Sequence, residues 1–348
     1  MSAGSSSAGG SRATQPFSQP LALTMGEPAG IGGEITLKAW RRKKFGAPSF
    51  FVIDDCHRLE AIAQALALDV PIHKIETADE AVGVFAEALP VLDHPVAEIP
   101  RPGEPLPANA KSVLESIKRA VKLVRRGDAS AVVTNPIHKL SLYDAGFDHP
   151  GHTEYLAVLS NSESTPVMML ACDQLKTVLV SIHVGLRQAI DSLTTEAIVK
   201  SGTIAAKALV RDFGIREPRL AVAGLNPHAG ENGAMGSEEM KIITPAVAKL
   251  REVGIEATGP YSPDAMFSPR LRGAYDAAVC MYHDQALIPI KTLDFDGAVN
   301  VTLGLSLIRT SPDHGTAFDI AGSGQASEAS LVAAIRMAAA MAKQRAAS

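Results

Sequence analysis

His283 and Asp284 follow closely on a short apolar run, residues 277–281, and Lys291, Asn300 and Arg309 come soon after. The run is too short for a typical helix and is bounded by polar residues, so it reads as a buried strand. In open α/β sheets, ligands sit in the crevice beyond the carboxyl ends of the strands. A lysine, an amide and a guanidinium gathered there suit a small anionic ligand. Taken singly, each is accounted for by a surface salt bridge; the grouping is what points to a site.

Three histidines repeat the pattern. His183, His228 and His283 each come directly after an apolar run or within three residues of one. Imidazoles converging from one edge of parallel sheets would bind zinc or a similar divalent ion and leave coordination positions open. His138 and His152 are rivals that spacing does not exclude. His152 and Thr153 precede a helical run from Glu154. There they would either cap the helix or hold a phosphate or carboxylate at its positive end. Residues 26–34, GEPAGIGGE, lie between an apolar run at 21–25 and a helical run through Ile35, Leu37 and Trp40. Strand, glycine turn and helix in that order aim backbone N–H groups at an anion. The spacing is not GxGxxG, and the glycines equally suit a tight turn alone. The absence of GxSxG, P-loop and HExxH patterns weighs against covalent hydrolase and P-loop chemistry.

The elements that must position these groups are legible in outline. Further apolar runs at 49–53, 129–134, 167–171, 177–182, 220–225 and Val299–Leu303 read as strands. Those at 167–171 and 177–182 pair through the turn at Asp173 and Gln174. Helical periodicity marks 56–66, 108–126, the stretch from Thr194 or Thr195 to Phe213, 237–253, and an Ala- and Met-rich segment from Ser327. Residues 69–107 hold scattered prolines and short β-like pieces, and 259–267 is turn-rich and carries Asp264. Strands alternating with helices predict an α/β fold, a mainly parallel sheet covered on both faces.

The chain has 348 residues, enough for about two domains. Hydrophobic residues make up 46%, without a run long enough to span a bilayer, so a soluble globular protein is expected. A net charge of −4 without a basic stripe argues against nucleic acid as a partner. Cys56, Cys172 and Cys280 lack CxxC spacing, and the last two lie in or beside apolar runs, as small core residues do. A reducing cytoplasm fits; a disulfide framework does not. The first eighteen residues are rich in Ser, Gly and Ala and lack the apolar segment of a secretory signal, so a flexible tail without catalytic duty is expected.

Seven segments carry a family resemblance: GEPAGIG, NPIHK, DHPGHTEYLA, AGLNPHAGENG, MYHDQALIPIKTL, VNVTLGL and RTSPDHGTAFDIAG. In unbroken order from about Leu21 to the C-terminus, they resemble the 4-hydroxythreonine-4-phosphate dehydrogenases of pyridoxal phosphate biosynthesis. GEPAGIGGE and HGTAFDIAGSG are also similar to the N-terminal glycine loop and the nucleotide-binding loop of isopropylmalate and isocitrate dehydrogenases.

The resemblance implies two α/β/α lobes, isopropylmalate dehydrogenase-like, with the active site in the cleft between them. Residues 19–140 with 304–348 would form the lobe carrying the nucleotide loop. Residues 141–303 would form the lobe carrying the metal-binding and dimer-interface residues. A cytoplasmic homodimer with a shared active site is implied, using NAD or NADP and one divalent metal, zinc, magnesium or cobalt. His183, His228 and His283 match the family's metal ligands. His152, Thr153, Lys291, Asn300 and Arg309 match its substrate-binding residues, and Asp264 and Asp284 match acidic residues lining the site. Lys291, Asp284 and Asp264 are thereby the catalytic candidates. His314, Gly315, Asp319 and Gly322 belong to the loop that would hold the adenosine side of the dinucleotide.

The implied reaction oxidises 4-phosphooxy-L-threonine to 2-amino-3-oxo-4-phosphooxybutanoate, which decarboxylates to 3-amino-2-oxopropyl phosphate. Relatives acting on 4-phospho-D-threonate, D-erythronate or aromatic cis-dihydrodiols share the motifs and are the alternative. A phosphate-binding or acyltransferase protein of the same fold is the rival from another class, and it would not need the nucleotide loop. One departure is visible. The family usually has Pro-Glu after GIG, whereas this chain has Gly33-Glu34, and glycine there tolerates more backbone shapes.

Overall fold

The computed structural model describes residues 19–144, 146–147 and 151–348; the tail expected at 1–18 lies outside them. Its strands are β1 (Leu21–Thr24), β2 (Phe50–Ile53), β3 (Ile72–Ile75), β4 (Leu89–Leu92), β5 (Val132–Val133) and β6 (Val167–Cys172). They continue with β7 (Leu175–Leu179), β8 (Arg219–Ala223), β9 (Glu256–Tyr261), β10 (Ala277–Cys280), β11 (Val299–Leu303) and β12 (Arg309–Pro312). All twelve join in one sheet of order β3-β4-β2-β1-β5-β12-β11-β6-β7-β10-β8-β9. Pairing is parallel except at β12–β11, β11–β6 and β6–β7. The α/β class and the mainly parallel sheet are as the sequence indicates. The ladder is continuous, because β11 bonds to β12 on one edge and to β6 on the other.

Side-chain alternation along the strands builds the cores and opens the cleft. Leu21, Leu23, Val133, Val299 and Val301 face one core that runs the length of the sheet. The helices Gly32–Arg41, Thr195–Phe213 and Ala329–Ala347 cover that face. The opposite face is divided. Ala22, Phe51 and Val132 pack under the helix Ala110–Arg126 in one cluster. Met168, Leu170 and Ala278 pack under the helix His283–Leu293 in another. The strands between these clusters are β5, β12 and β11. Apart from Val132, the residues that these strands and the Thr134 end of β5 bring to this divided face are polar: Thr134, Arg309, Ser311, Asn300 and Thr302. A polar seam down the middle of one sheet face thus separates two apolar clusters.

Local signals set several boundaries. Thr194 accepts a hydrogen bond from the Ala197 N–H and caps its helix. Gly127, at φ +82, stops the helix Ala110–Arg126 in the left-handed conformation that glycine tolerates.

Four segments differ from expectation. The stretch from His283, not marked as helical by its periodicity, is a helix to Leu293, held by Ala286, Leu287 and Ile290 on one buried face despite Pro289. Arg309–Pro312 lacks β-forming composition yet is a buried central strand, because tertiary pairing on both edges overrides propensity. The turn-rich 259–267 region begins inside β9. The helix expected over 237–253 opens with a π-helical turn, Glu239–Ile243, before the α-helix Thr244–Glu252.

Candidate active site

Arg309 stands at the centre of the polar seam and is only 5% exposed. Its Nε and Nη2 donate to Thr134 Oγ1 at 3.1 and 2.7 Å, and its Nη1 donates to Thr302 Oγ1 at 3.0 Å. Among the described residues no carboxylate pairs with it. Burial without a counter-charge pulls its pKa down to about 10. A guanidinium held this way by neutral hydroxyls is a receptor for an anion, because a buried charge is costly until it is paired.

His152 lies beside it, with Nδ1 3.5 Å from Arg309 Nη2. It is the first residue of the helix His152–Leu159, whose cap is Gly151 with no side-chain capping bond. The capping alternative therefore gives way to a ring facing the seam. Its Nε2 is buried without a partner among the described residues. Burial holds the His152 pKa well below its ordinary value of 6.5, and the charges of Arg309 and Lys139 act in the same direction. The ring is neutral when folded.

That neutrality has a sign in stability. Protons bind the unfolded His152 at its ordinary pKa and the folded one only at much lower pH. Its contribution is fully present above pH 6.5 and is lost as pH falls toward the folded pKa, by about 1.4 kcal/mol per unit. Between pH 6.5 and 5 the melting temperature of wild type is expected to fall more steeply than that of His152→Gln. Parallel curves would show that His152 takes up its proton while folded.

Two further clusters adjoin the seam. His183, just past β7, and His283, just past β10, bring their rings to 5.8 Å between centroids. The Asp284 carboxylate accepts from His283 Nδ1 at 2.7 Å, which orients the ring. Burial lowers the His183 pKa, with Lys139 and His283 adding to the effect and Glu154 and Asp313 opposing it. Lys291 pairs with Asp313 at 2.7 Å. Lys139 influences both His152 and His183, so both rings lie within electrostatic reach of one lysine.

His228 is placed differently. It follows β8, next to β10 in the sheet, but begins a left-handed turn in which residues 228–232 all have positive φ. Glu239, 3% exposed, braces that turn by accepting from the Leu225 and Asn226 N–H groups at 2.8 and 2.7 Å. His228 lies near Asp264, whose carboxyl is held below its usual range by a hydrogen bond from Ser262, with His228 a lesser cause. Among the described residues no three His, Cys, Asp or Glu side chains gather as a metal site within the chain. Two imidazoles, one oriented by a carboxylate, nevertheless suit a divalent ion whose remaining ligands come from elsewhere.

Thr153 occupies the second position of the helix beside His152, and Asn300 lines the seam opposite Ser311. Thr134, Thr302, Lys139, Glu154 and Asp313 were not singled out as site residues. The hydroxyls carry no signal until the strand register is known. Lys139 and Asp313 stand inside the NPIHK and SPDHG segments, where that signal was available.

The glycine turn 26–31 packs directly on the loop from His314 to Gly322. The Ile31 N–H donates to the Thr316 carbonyl at 3.1 Å, and a Cβ at Gly30 would lie 2.9 Å from that oxygen. Gly322, at φ +72, lies where a Cβ would come 2.7 Å from Pro102. Gly315 has open space beside it, Asp319 is exposed, and His314 Nε2 is buried without a partner among the described residues. A cavity of about 230 Å³, lined by Gly30, Ile62, Leu66, Ile99, Pro102 and Gly322, lies between these segments. Its apolar wall and neighbouring glycines fit the flat base and backbone-held groups of a nucleotide.

The chain is 51% identical over 333 residues to a 4-hydroxythreonine-4-phosphate dehydrogenase of Caulobacter vibrioides, covering 94% of this chain and 99% of that one. It is 54% identical to one of Methylorubrum populi, covering 92% and 93%. The crystal structure of the Klebsiella pneumoniae enzyme of that name superposes with a TM-score of 0.83 at 40% identity, covering 93% and 100%. The family described as pyridoxal phosphate biosynthetic protein PdxA matches residues 47–338, and the chain belongs to that family.

Proposed function

We propose that the chain catalyses the NAD(P)-dependent oxidation of 4-phosphooxy-L-threonine to 2-amino-3-oxo-4-phosphooxybutanoate, which decarboxylates to 3-amino-2-oxopropyl phosphate, in pyridoxine 5′-phosphate biosynthesis. The observation that carries this reading is the buried Arg309, bonded to two hydroxyls beside His152 and without a carboxylate partner among the described residues. The names of the relatives supply the substrate and the direction of the chemistry.

Arg309, His152, Thr153 and Asn300 bind the anionic ends of the substrate, Arg309 by charge and the others by hydrogen bonds. His183 and His283 are the donors this chain offers to a divalent ion, with His228 completing the set from a second copy. The ion, when bound, supplies Lewis-acid polarisation of the reacting oxygen. Lys291 is the candidate to take the hydroxyl proton, Asp313 holding its ammonium in place. Asp284 positions His283, and Asp264 acts beside His228. The loop with His314, Gly315, Asp319 and Gly322 holds the adenosine side, leaving the nicotinamide to accept hydride. The meeting of β12 and β11 supports a division into lobes 19–140 with 304–348 and 141–303.

The test is reduced-nicotinamide formation with 4-phosphooxy-L-threonine, 4-phospho-D-threonate, 4-phospho-D-erythronate and a carboxylated cis-dihydrodiol side by side, with NAD and NADP. Turnover is expected with the first and is expected to stop on chelation and return with zinc, magnesium or cobalt. Preference for another substrate would move the chain to a sister activity. Failure of any dinucleotide to bind would favour the phosphate-binding rival.

A further inference from the structure

We propose that Arg58, held by Asp54, is a positioning residue for the dinucleotide, and that Gly33 is the opening that lets it act. The inference rests on the loop His314–Gly322 being the nucleotide loop.

Arg58 lies on the helix Cys56–Ala65, outside every motif of the site, yet it is 2% exposed and Asp54 is fully buried. Its Nε and Nη2 donate to the two Asp54 oxygens at 3.1 and 2.7 Å. The charge is thereby neutralised, so it is not an anion receptor like Arg309. Its remaining arm, Nη1, donates to the Pro28 carbonyl at 3.1 Å. Pro28 is the middle of the glycine turn. The turn is tied at one end by the Glu27 N–H to the Pro136 carbonyl at 2.8 Å and at the other by Ile31 to Thr316. Gly103 donates to the Ala29 carbonyl at 2.8 Å. One rigid fork thus fixes the apex of a turn that touches the nucleotide loop.

Gly33 is where that fork finds room. A Cβ there would lie 2.6 Å from Ile62 Cδ1 and 2.9 Å from Arg58 Nη1. Proline, usual in the family at this place, is acceptable to the first turn of a helix. Here it would displace Nη1 from Pro28. Both obstacles are ends of side chains that can swing aside, so the substitution shifts the fork without preventing folding.

The experiment uses the full chain and measures NAD and NADP affinity by calorimetry, with KM and kcat alongside. Arg58→Met with Asp54→Leu removes both charges together, so neither is left buried alone. That double variant and Gly33→Pro are each expected to weaken dinucleotide affinity about tenfold, the worth of one charge-assisted bond. The substrate KM and the kcat at saturating dinucleotide should stay within about twofold. Combining all three changes should add nothing, because they remove one brace. Arg58→Lys, which keeps the charge but not the fork, should fall between. Unchanged dinucleotide affinity in Gly33→Pro, or additive losses, overturns the inference. Gly322→Val separates the two readings. If it too leaves affinity unchanged, the nucleotide loop itself is misassigned; if it alone weakens binding, only the Arg58 brace is wrong.

Discussion

Replacing Arg309 with methionine is expected to lower kcat/KM for the phosphorylated substrate by about 10²–10³-fold while leaving the unliganded protein as stable as before or more so. The two effects have one cause. Arg309 is buried and bonded only to Thr134 and Thr302 hydroxyls and the edge of His152, with no carboxylate beside it among the described residues. The folded protein carries the desolvation cost of that charge until an anion arrives. Methionine removes the cost and fills much of the volume, at the expense of two hydroxyls losing a donor. With substrate present the balance reverses, because the anion then meets a seam with no cation at its centre. Steady-state kinetics and a melting curve on the same sample check both halves. A large fall in the melting temperature of the unliganded variant would mean that Arg309 is a structural residue, and unchanged kinetics would remove it from the site.

What the sequence disclosed and what it withheld follow one physical line. Runs such as Phe50–Ile53 and Ala277–Cys280 are buried on both sides, so their apolar content alone marks them as strands. Arg309–Pro312 is equally buried, yet it reads as loop, because its alternate residues point into the polar seam. The seam depended on register. Thr134 and Thr302 reach Arg309 across neighbouring strands, a relation between residues far apart in the chain that no periodicity encodes. His183 and His283 were recoverable because adjacent parallel strands end side by side. His228 was recoverable as a residue but not in direction, since the left-handed run from 228 to 232 turns it toward Asp264. Such a run includes non-glycine residues at positive φ, held by backbone bonds such as Met235 N–H to the Gly230 carbonyl and by the buried Glu239 bracing the chain that enters it.

That turn also motivates the last expected result, in which two inactive variants restore each other. His228→Ala and His283→Ala are each expected to lose at least about 10³-fold in metal-dependent turnover, the scale of Lewis-acid assistance. Within one chain His183 and His283 pair and His228 does not join them. If the third imidazole comes from a second copy, each site takes His183 and His283 from one protomer and His228 from the other. In a hybrid of the two variants, the site on the His228→Ala protomer receives an intact His228 from its neighbour and keeps its own His283. The other site lacks both groups. Random reassortment makes half of the dimers hybrid, each with one working site of two, so an equal mixture should regain about a quarter of wild-type activity. Refolding the variants together, or co-expressing them, provides the exchange. No recovery in demonstrably mixed dimers would place all the ligands in one protomer, which the separation of His228 from the pair contradicts, or remove His228 from the metal altogether. Metal affinity of each variant, measured without substrate, distinguishes those two outcomes: His228→Ala should bind the ion more weakly only if its ring is a ligand.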